Sequence, residues 1–291
     1  MLQSGVSVPD SKAANSGCAI LVINLDRSSE RLAFQRAQAD RLGLGFTRIV
    51  AVDGMELTDD VYRRHAFSWQ RTLTRNEVAC LLSHAKCWQY ALENRCNVLV
   101  MEDDAVVSPE IYNFLAIASG LEGCLAINLE TRGTISFLAK GIESGELPFR
   151  KVLTAVAGAA AYMITPAAAE VLLKGLPGRA GLADNYIWGD RRIVRLQADP
   201  AYCMGLDVMQ SYFGLEQANR ASSSIANRKR SRAEKMLSYI RHPLTGFRRI
   251  KAQLAVGIAK IVLPWVAEKR VIAPYPSILA NYQALRGVYN G

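Results

Sequence analysis

Residues 18–25, "CAILVINL", form an unbroken apolar run. A strand with one wet face alternates in polarity, so a continuous run implies a strand covered on both sides, as in helix-flanked α/β sheets. A helix is expected from about Ser29, with Leu32, Ala39 and Leu42 on one face and Gly43 and Gly45 at its end. "FTRIVAVDG" (46–54) then reads as a second strand closed by a turn. This strand-helix-strand opening predicts an α/β fold with a parallel sheet. With 291 residues, half of them apolar, the chain is long enough for one large core or two modest ones.

"NVLVMEDDAV" (97–106) raises the sharpest question, because a strand-like run ends in Glu102, Asp103 and Asp104. Adjacent like charges repel by about 4 kcal/mol at ~4 Å and an effective dielectric of 20, so such a triplet needs open water or a cation. A solvated turn satisfies the first condition. The carboxyl ends of strands in open α/β sheets collect ligands, and oxygen clusters suit Mg²⁺ or Mn²⁺, which satisfies the second.

Before this strand, Thr74 and Glu77 make a capping box, and Val78, Leu81, Leu82, Ala85, Trp88 and Leu92 form one helical stripe. Glu77 is simplest as a cap. His84 borders the stripe, where it serves either as a structural histidine or as a contact in a cleft. After the triplet, Ser108 and Pro109 predict a helix start as N-cap and first helical residue. "GCLAINL" (123–129) reads as another buried strand, and 130–147, with several glycines, as a long mobile loop. "AVAGAAAYMIT" leads to Pro166 and a helix over 167–174; Gly158 with its alanines permits close approach of backbone or ligand, or tight packing. "GLADNYIWGD" (181–190) sets Asp184 and Asp190 around aromatics in the manner of a site loop.

The formal charge of +9 is local: residues 228–270 hold twelve Lys or Arg against Glu234 and Glu268, leaving the rest near neutrality. Apolar residues recur at 236, 240, 244, 247, 250, 254, 258, 261 and 265, so 227–291 reads as a basic amphipathic helical tail, interrupted at His242-Pro243. Such a segment docks on its own domain, binds nucleic acid or lies on anionic lipid; Trp265 and the long stripe favour lipid. Residues 1–17 read as a disordered lead-in without the pattern of a signal peptide. The most apolar stretch, 252–267, is broken by Gln253, Lys260 and Pro264 and is too short to span a bilayer. Six scattered cysteines show no zinc-ligand spacing and read as reduced core residues of a cytoplasmic protein.

Three ordered blocks, "VINLDRSSERLAFQRAQADRLGLGFTRIVAVDG", "LTRNEVACLLSHAKCWQYALENRCNVLVMEDDAVV" and "AGAAAYMITPAAAEVLL", resemble glycosyltransferase family 25 over about residues 18–225. The resemblance implies a GT-A-like nucleotide-sugar-binding domain over 18–226, with Glu102 and Asp104 as ligands of Mn²⁺ or Mg²⁺ and Asp103 beside the donor. It further implies that Asn24, Arg27, Arg31, Asp53, Ser83 and His84 line the donor pocket and that Asp184 is the general base. Gln210 and the "SSSI" run at 222–225 would line the far side. The implied reaction is inverting transfer of a hexose, galactose from UDP-galactose, onto a lipid-linked saccharide such as lipooligosaccharide. The setting would be the inner face of the cytoplasmic membrane, held through residues 228–270, with no nucleic acid partner. The alternative is a non-catalytic, membrane-associated binding protein on a degenerate transferase fold. A phosphate-loop NTPase is excluded for want of G-x-x-x-x-G-K-[ST].

Overall fold

The computed structural model describes residues 17–143, 149–154, 156–176, 178–215 and 243–289. The lead-in over 1–16, the "SSSI" run at 222–225 and the basic run over 228–242 lie outside the described residues. In chain order the strands are β1 (Cys18–Asn24), β2 (Thr47–Val50), β3 (Asn97–Glu102), β4 (Ala105–Val107), β5 (Leu125–Asn128), β6 (Ile135–Glu143), β7 (Phe149–Val152), β8 (Ala161–Ile164), β9 (Val194–Ala198), β10 (Cys203–Gly205) and β11 (Ala267–Val271). The helices are α1 (Ser29–Arg41), α2 (Asp59–Ala66), α3 (Arg75–Asn94), α4 (Ile111–Ala118), α5 (Pro166–Gly175), α6 (Ala183–Gly189), α7 (Leu206–Tyr212), α8 (Pro243–Val266) and α9 (Ser277–Tyr289).

A nine-stranded sheet runs β11-β6-β7-β9-β5-β8-β3-β1-β2, and β4 pairs with β10 apart from it. The opening behaves as the apolar runs predict, since β1 is parallel to both β2 and β3. The whole sheet is mixed, because β8 runs antiparallel between β3 and β5, and β7, β6 and β11 continue antiparallel beyond β9. The continuous apolar character of β1 and β3 has a direct cause. Leu21, Ile23, Val98 and Val100 enter one core with α3 and α5, while Ile20, Val22, Leu99 and Met101 enter a second with α4. Period-two alternation then sends the apolar residues of both strands into one core or the other.

The capping box at α3 is present: Glu77 N–H donates to Thr74 Oγ1 (3.2 Å) and Thr74 N–H to Glu77 Oε2 (2.8 Å), and Arg71 clasps the same carboxylate. Thr165 caps α5, with Pro166 as its first residue.

Several expectations require correction. Ser108 does not cap α4, which starts at Ile111; its backbone N–H is committed to Tyr202 O (2.9 Å), which holds it against the second core. Residues 130–147 do not form a loop, because β6 occupies 135–143 and pairs with β7; residues 144–148 lie outside the described residues. Residues 181–190 contain helix α6, and Asp190 is a buried structural anion held by Arg179 and Arg192.

The C-terminal segment is not one helical tail. After α8, β11 joins the sheet against β6, and α9 packs Ile278, Tyr282 and Leu285 with Phe34, Val106, Met204 and Met209 in a third core. Asn281 Nδ2 donates to Val107 O (2.9 Å), which ties α9 to β4. Residues 267–289 therefore share the sheet and a core with the elements before residue 226. Between these pieces, α8 leaves Leu244, Phe247, Ile250, Leu254, Ile258, Ile261 and Trp265 exposed, Trp265 by 80%. These are stripe positions of the sequence, and the described residues leave them uncovered. No described helix is long and apolar enough to cross a membrane.

Candidate active site

The carboxyl ends of parallel β1, β2 and β3 open at the same edge, and a cleft of about 410 Å³ lies there. Its walls come from the β1–α1 turn, the β2–α2 turn, the face of α3 and the acidic end of β3. Among the sequence-derived candidates, Asn24, Arg27, Arg31, Ser83, His84, Glu102 and Asp103 line it.

The acidic triplet divides. Asp103 turns towards α1, where Oδ2 accepts from Asn24 Nδ2 (2.8 Å) and Oδ1 from Arg31 (2.9 Å). Asn24 is itself held on its carbonyl side by Arg48 Nε (3.0 Å), which fixes the amide orientation. Asp103 is thus a positioning group that locks the β1–α1 turn to the end of β3.

Glu102 goes the other way, with Oε1 3.2 Å from His84 Nε2. Burial acts to raise this carboxyl, but the His84 contact, with Arg132 and Arg31, holds it below the usual range. Asp104 has the opposite balance. Burial, then Glu102, raise it to about 7, and Asp103 and Asp207 add to this against Arg31. Its Oδ1 is a buried oxygen without a hydrogen-bond partner.

His84 is fully buried, bridging Glu102 and Tyr162. Trp88 Nε1 donates to the Tyr162 oxygen (2.8 Å), leaving the phenol free to donate to His84 Nδ1 (3.0 Å) and Nε2–H to donate to Glu102. Ser83 is structural in its bonding: Oγ donates to Ala79 O and accepts from Val52 N–H, each at 2.8 Å, which docks the β2–α2 turn on α3. Arg27, half exposed, pairs with Asp53, which also accepts from Met55 N–H (2.9 Å). Asp53 lies at the rim of the cleft through this pair, and the neighbouring Gly54 lines it. A Cβ on Gly54 would stand 2.2 Å from Asn76 Oδ1, so this turn closes on α3 only with glycine.

Asp184 is not among the lining residues. Its Oδ2 accepts from Gly158 N–H (3.2 Å) and its Oδ1 from Asn185 N–H (2.6 Å). Gln210 sits on α7, apart from the cleft lining.

Two participants were missed by reading the sequence. Cys80 lines the cleft one turn before His84 and could have been found from the shared helical face. Glu130 follows β5 as Glu102 ends β3; an apolar strand ending in a carboxylate was the overlooked signal. Its side chain is buried, Oε2 accepts from Ala160 N–H (2.8 Å), and Arg132 lies 3.4 Å from Oε1. Burial raises Glu130 to about 8 despite the Ala160 hydrogen bond and Arg132. The glycine question resolves here: Gly158 has φ +93, and a Cβ on it would stand 2.2 Å from Glu130 Oε2, so the close approach is by this carboxyl.

Comparison with known proteins gives the family of the chain. The family model described as "Glycosyltransferase family 25 (LPS biosynthesis protein)" matches residues 18–178. A "Glycosyltransferase 25 family member" from Anopheles gambiae is 34% identical over 118 residues, which cover 36% of this chain and 20% of that protein. One of the same description from Aedes aegypti is 35% identical over 100 residues, covering 31% of this chain and 16% of the relative. The chain thus spans about a fifth, or less, of the length of these relatives.

Proposed function

Because the chain belongs to glycosyltransferase family 25, we propose that the cleft binds a nucleotide sugar and that the protein transfers its hexose, galactose from UDP-galactose, to a saccharide acceptor with inversion. The observation that carries this reading is the convergence of Asn24, Arg27, Arg31, Ser83, His84, Glu102 and Asp103 on one cleft at the carboxyl ends of parallel strands. Arg27 and Arg31 supply positive charge for a diphosphate beside the start of α1.

A divalent cation fits the donor set at Glu102 and Asp104. Asp104 Oδ1 is unpartnered, and burial with Glu102 raises the carboxyl although Arg31 stands 3.9 Å from Oδ2, which leaves an oxygen a cation could take. Asp103 does not fit as a ligand, since both of its oxygens are taken. When bound, Mn²⁺ or Mg²⁺ would neutralise the diphosphate of the departing nucleotide. The protein's own contributions are positional: His84, braced by Tyr162 and Trp88, fixes Glu102, and Asn24 with Arg31 fixes the turn that carries Asp103. Asp184 is proposed as the general base for the acceptor hydroxyl. Its Gly158 hydrogen bond holds it beside the Gly158–Ala160 segment, whose Ala160 O accepts from Glu102 N–H (2.8 Å).

The exposed stripe of α8 supports a lipid-linked acceptor, reached at the inner face of the cytoplasmic membrane. Seven apolar side chains face solvent along one helix that also carries Arg248, Arg249 and Lys251. An anionic bilayer answers both features, each Lys or Arg contributing about 1 kcal/mol near such a surface.

The deciding experiment is thermal stabilisation by a panel of nucleotide sugars with and without Mn²⁺, followed by Mn²⁺-dependent hydrolysis of any binder. Stabilisation by about 2.7 kcal/mol is expected at a hundredfold excess over the dissociation constant. Binding without hydrolysis or transfer would favour a non-catalytic binding protein, and no binding would reject the reading. For the membrane, Phe247→Glu with Ile258→Glu should abolish pelleting with anionic vesicles. Unchanged pelleting rejects the lipid assignment, and concentration-dependent dimers lost in the same variant would identify a second copy as the occupant.

A further inference from the structure

We propose that Cys80, His84 and Glu102 form a binding site for a thiophilic divalent cation, Zn²⁺ foremost, in the wall of the cleft. α3 sets Cys80 and His84 one turn apart on the same face, and Glu102 arrives from the end of β3. One ligand atom from each lies within 4.8 Å of the others. Zn–S near 2.3 Å and Zn–N or Zn–O near 2.1 Å require ligand separations of roughly 3.4–3.6 Å in a tetrahedron. The His84–Glu102 pair, at 3.2 Å, already stands near that spacing. Closing on the ion therefore asks for a shift of about 1 Å, within reach of a side-chain rotation of Cys80.

The surroundings have the features such a centre uses. A metal-bound histidine generally donates its other N–H to a fixed acceptor. His84 Nδ1 faces the Tyr162 oxygen at 3.0 Å, and that oxygen has two lone pairs, enough for both Nδ1–H and Trp88 Nε1–H. Binding would therefore move the ring proton from Nε2, where it serves the Glu102 hydrogen bond of the ion-free protein, to Nδ1, which frees Nε2 for the ion. Cys80 would release its proton to solvent on binding, becoming thiolate. Burial, then Glu102, Asp184, Asp104 and Glu77, hold the thiol protonated without a cation, and the same carboxylates attract one. Three protein ligands leave a fourth position towards the cleft for water or a phosphate oxygen.

Ligand softness separates this site from the pair Glu102 and Asp104. Thiolate and imidazole select Zn²⁺, whereas two carboxylates suit Mg²⁺ or Mn²⁺. Glu102 is common to both, so Zn²⁺ at Cys80 would displace the harder ion. That consequence, unlike the binding itself, rests on the nucleotide-sugar reading of the cleft.

Titration of the full chain with Co²⁺, a spectroscopic stand-in for Zn²⁺, tests the site. A thiolate-to-cobalt charge-transfer band should develop to one equivalent and be displaced by Zn²⁺. Cys80→Ser and Cys80→Ala should each lose the band and weaken Zn²⁺ binding at least about tenfold, with circular dichroism unchanged. Cys124→Ser, outside the cluster, should keep it. Absence of the band in the parent, or its persistence in both folded Cys80 variants, overturns the proposal. A band in a protein that binds no nucleotide sugar would leave the site standing while the transferase reading fell.

Discussion

Replacing Asp104 by Asn should stabilise the cation-free protein at alkaline pH and leave it nearly unchanged at acid pH. The sign follows from the raised carboxyl. Asp104 sits at about 7 in the folded protein against an ordinary 3.8, because of burial and then Glu102. Between those values the folded chain holds a proton that the unfolded chain has lost, so stability falls as pH rises from about 4 to about 7. At 1.36 kcal/mol per unit, the full penalty is on the order of 4 kcal/mol. Asn never ionises and escapes it. Urea unfolding in the presence of chelator should therefore give parent and variant curves that converge near pH 4 and separate by up to about 4 kcal/mol at pH 8, with the variant the more stable. Mn²⁺ or Mg²⁺ should restore the parent at pH 8 and do nothing for the variant. Parallel pH curves, or an equal response of both proteins to the cation, would refute the proposal that Asp104 is a cation ligand.

Three further expectations follow from the geometry. Gly158→Ala should cost about 3 kcal/mol or more in denaturant unfolding, because its Cβ would meet the Glu130 carboxyl at a positive φ. Arg31→Ala should cost roughly 3 kcal/mol, since it strips a partner from largely buried Asp103; Asp103→Asn should still show the Mn²⁺-dependent thermal shift that Asp104→Ala loses. Tyr282→Ala should destabilise the whole domain in a single unfolding transition by about 3 kcal/mol, whereas a removable tail would leave the transition unmoved.

The readable parts of the chain were those whose partners are local or uniform. β1 and β3 announced themselves because both faces of the sheet are covered, so no polar residue interrupts them. α3 announced its start through a cap made within four residues. On these elements the acidic triplet stood out by its place at a strand end and His84 by its place beside a helical stripe, whereas Asn24, Arg27, Arg31 and Ser83 were singled out by the family resemblance. Elements at the far sheet edge were opaque for the opposite reason. β11, "AEKRV", pairs on one side only and exposes Lys269 and Arg270, so it carries charge where a central strand carries Val or Ile. The preceding three-and-four spacing ran into Trp265 and extended a helix that the ladder with β6 ends at Val266. Glu130 escaped because its meaning depends on Gly158, far along the chain, which alone leaves room for its carboxyl.

The division of the acidic triplet was not legible in the sequence, because β3 ends at Glu102 and the next two acids lie in the turn before β4, where strand alternation no longer sets side-chain direction. Here the second, Asp103, finds Asn24 and Arg31 on the α1 side and becomes a brace. Burial raises the cost of charge on both Glu102 and Asp104; His84 offsets it for Glu102, whereas Glu102 adds to it for Asp104, whose Oδ1 has no hydrogen bond. The end of β3 and the turn after it thus set a braced anion between a carboxylate bonded to His84 and one with an unbonded oxygen.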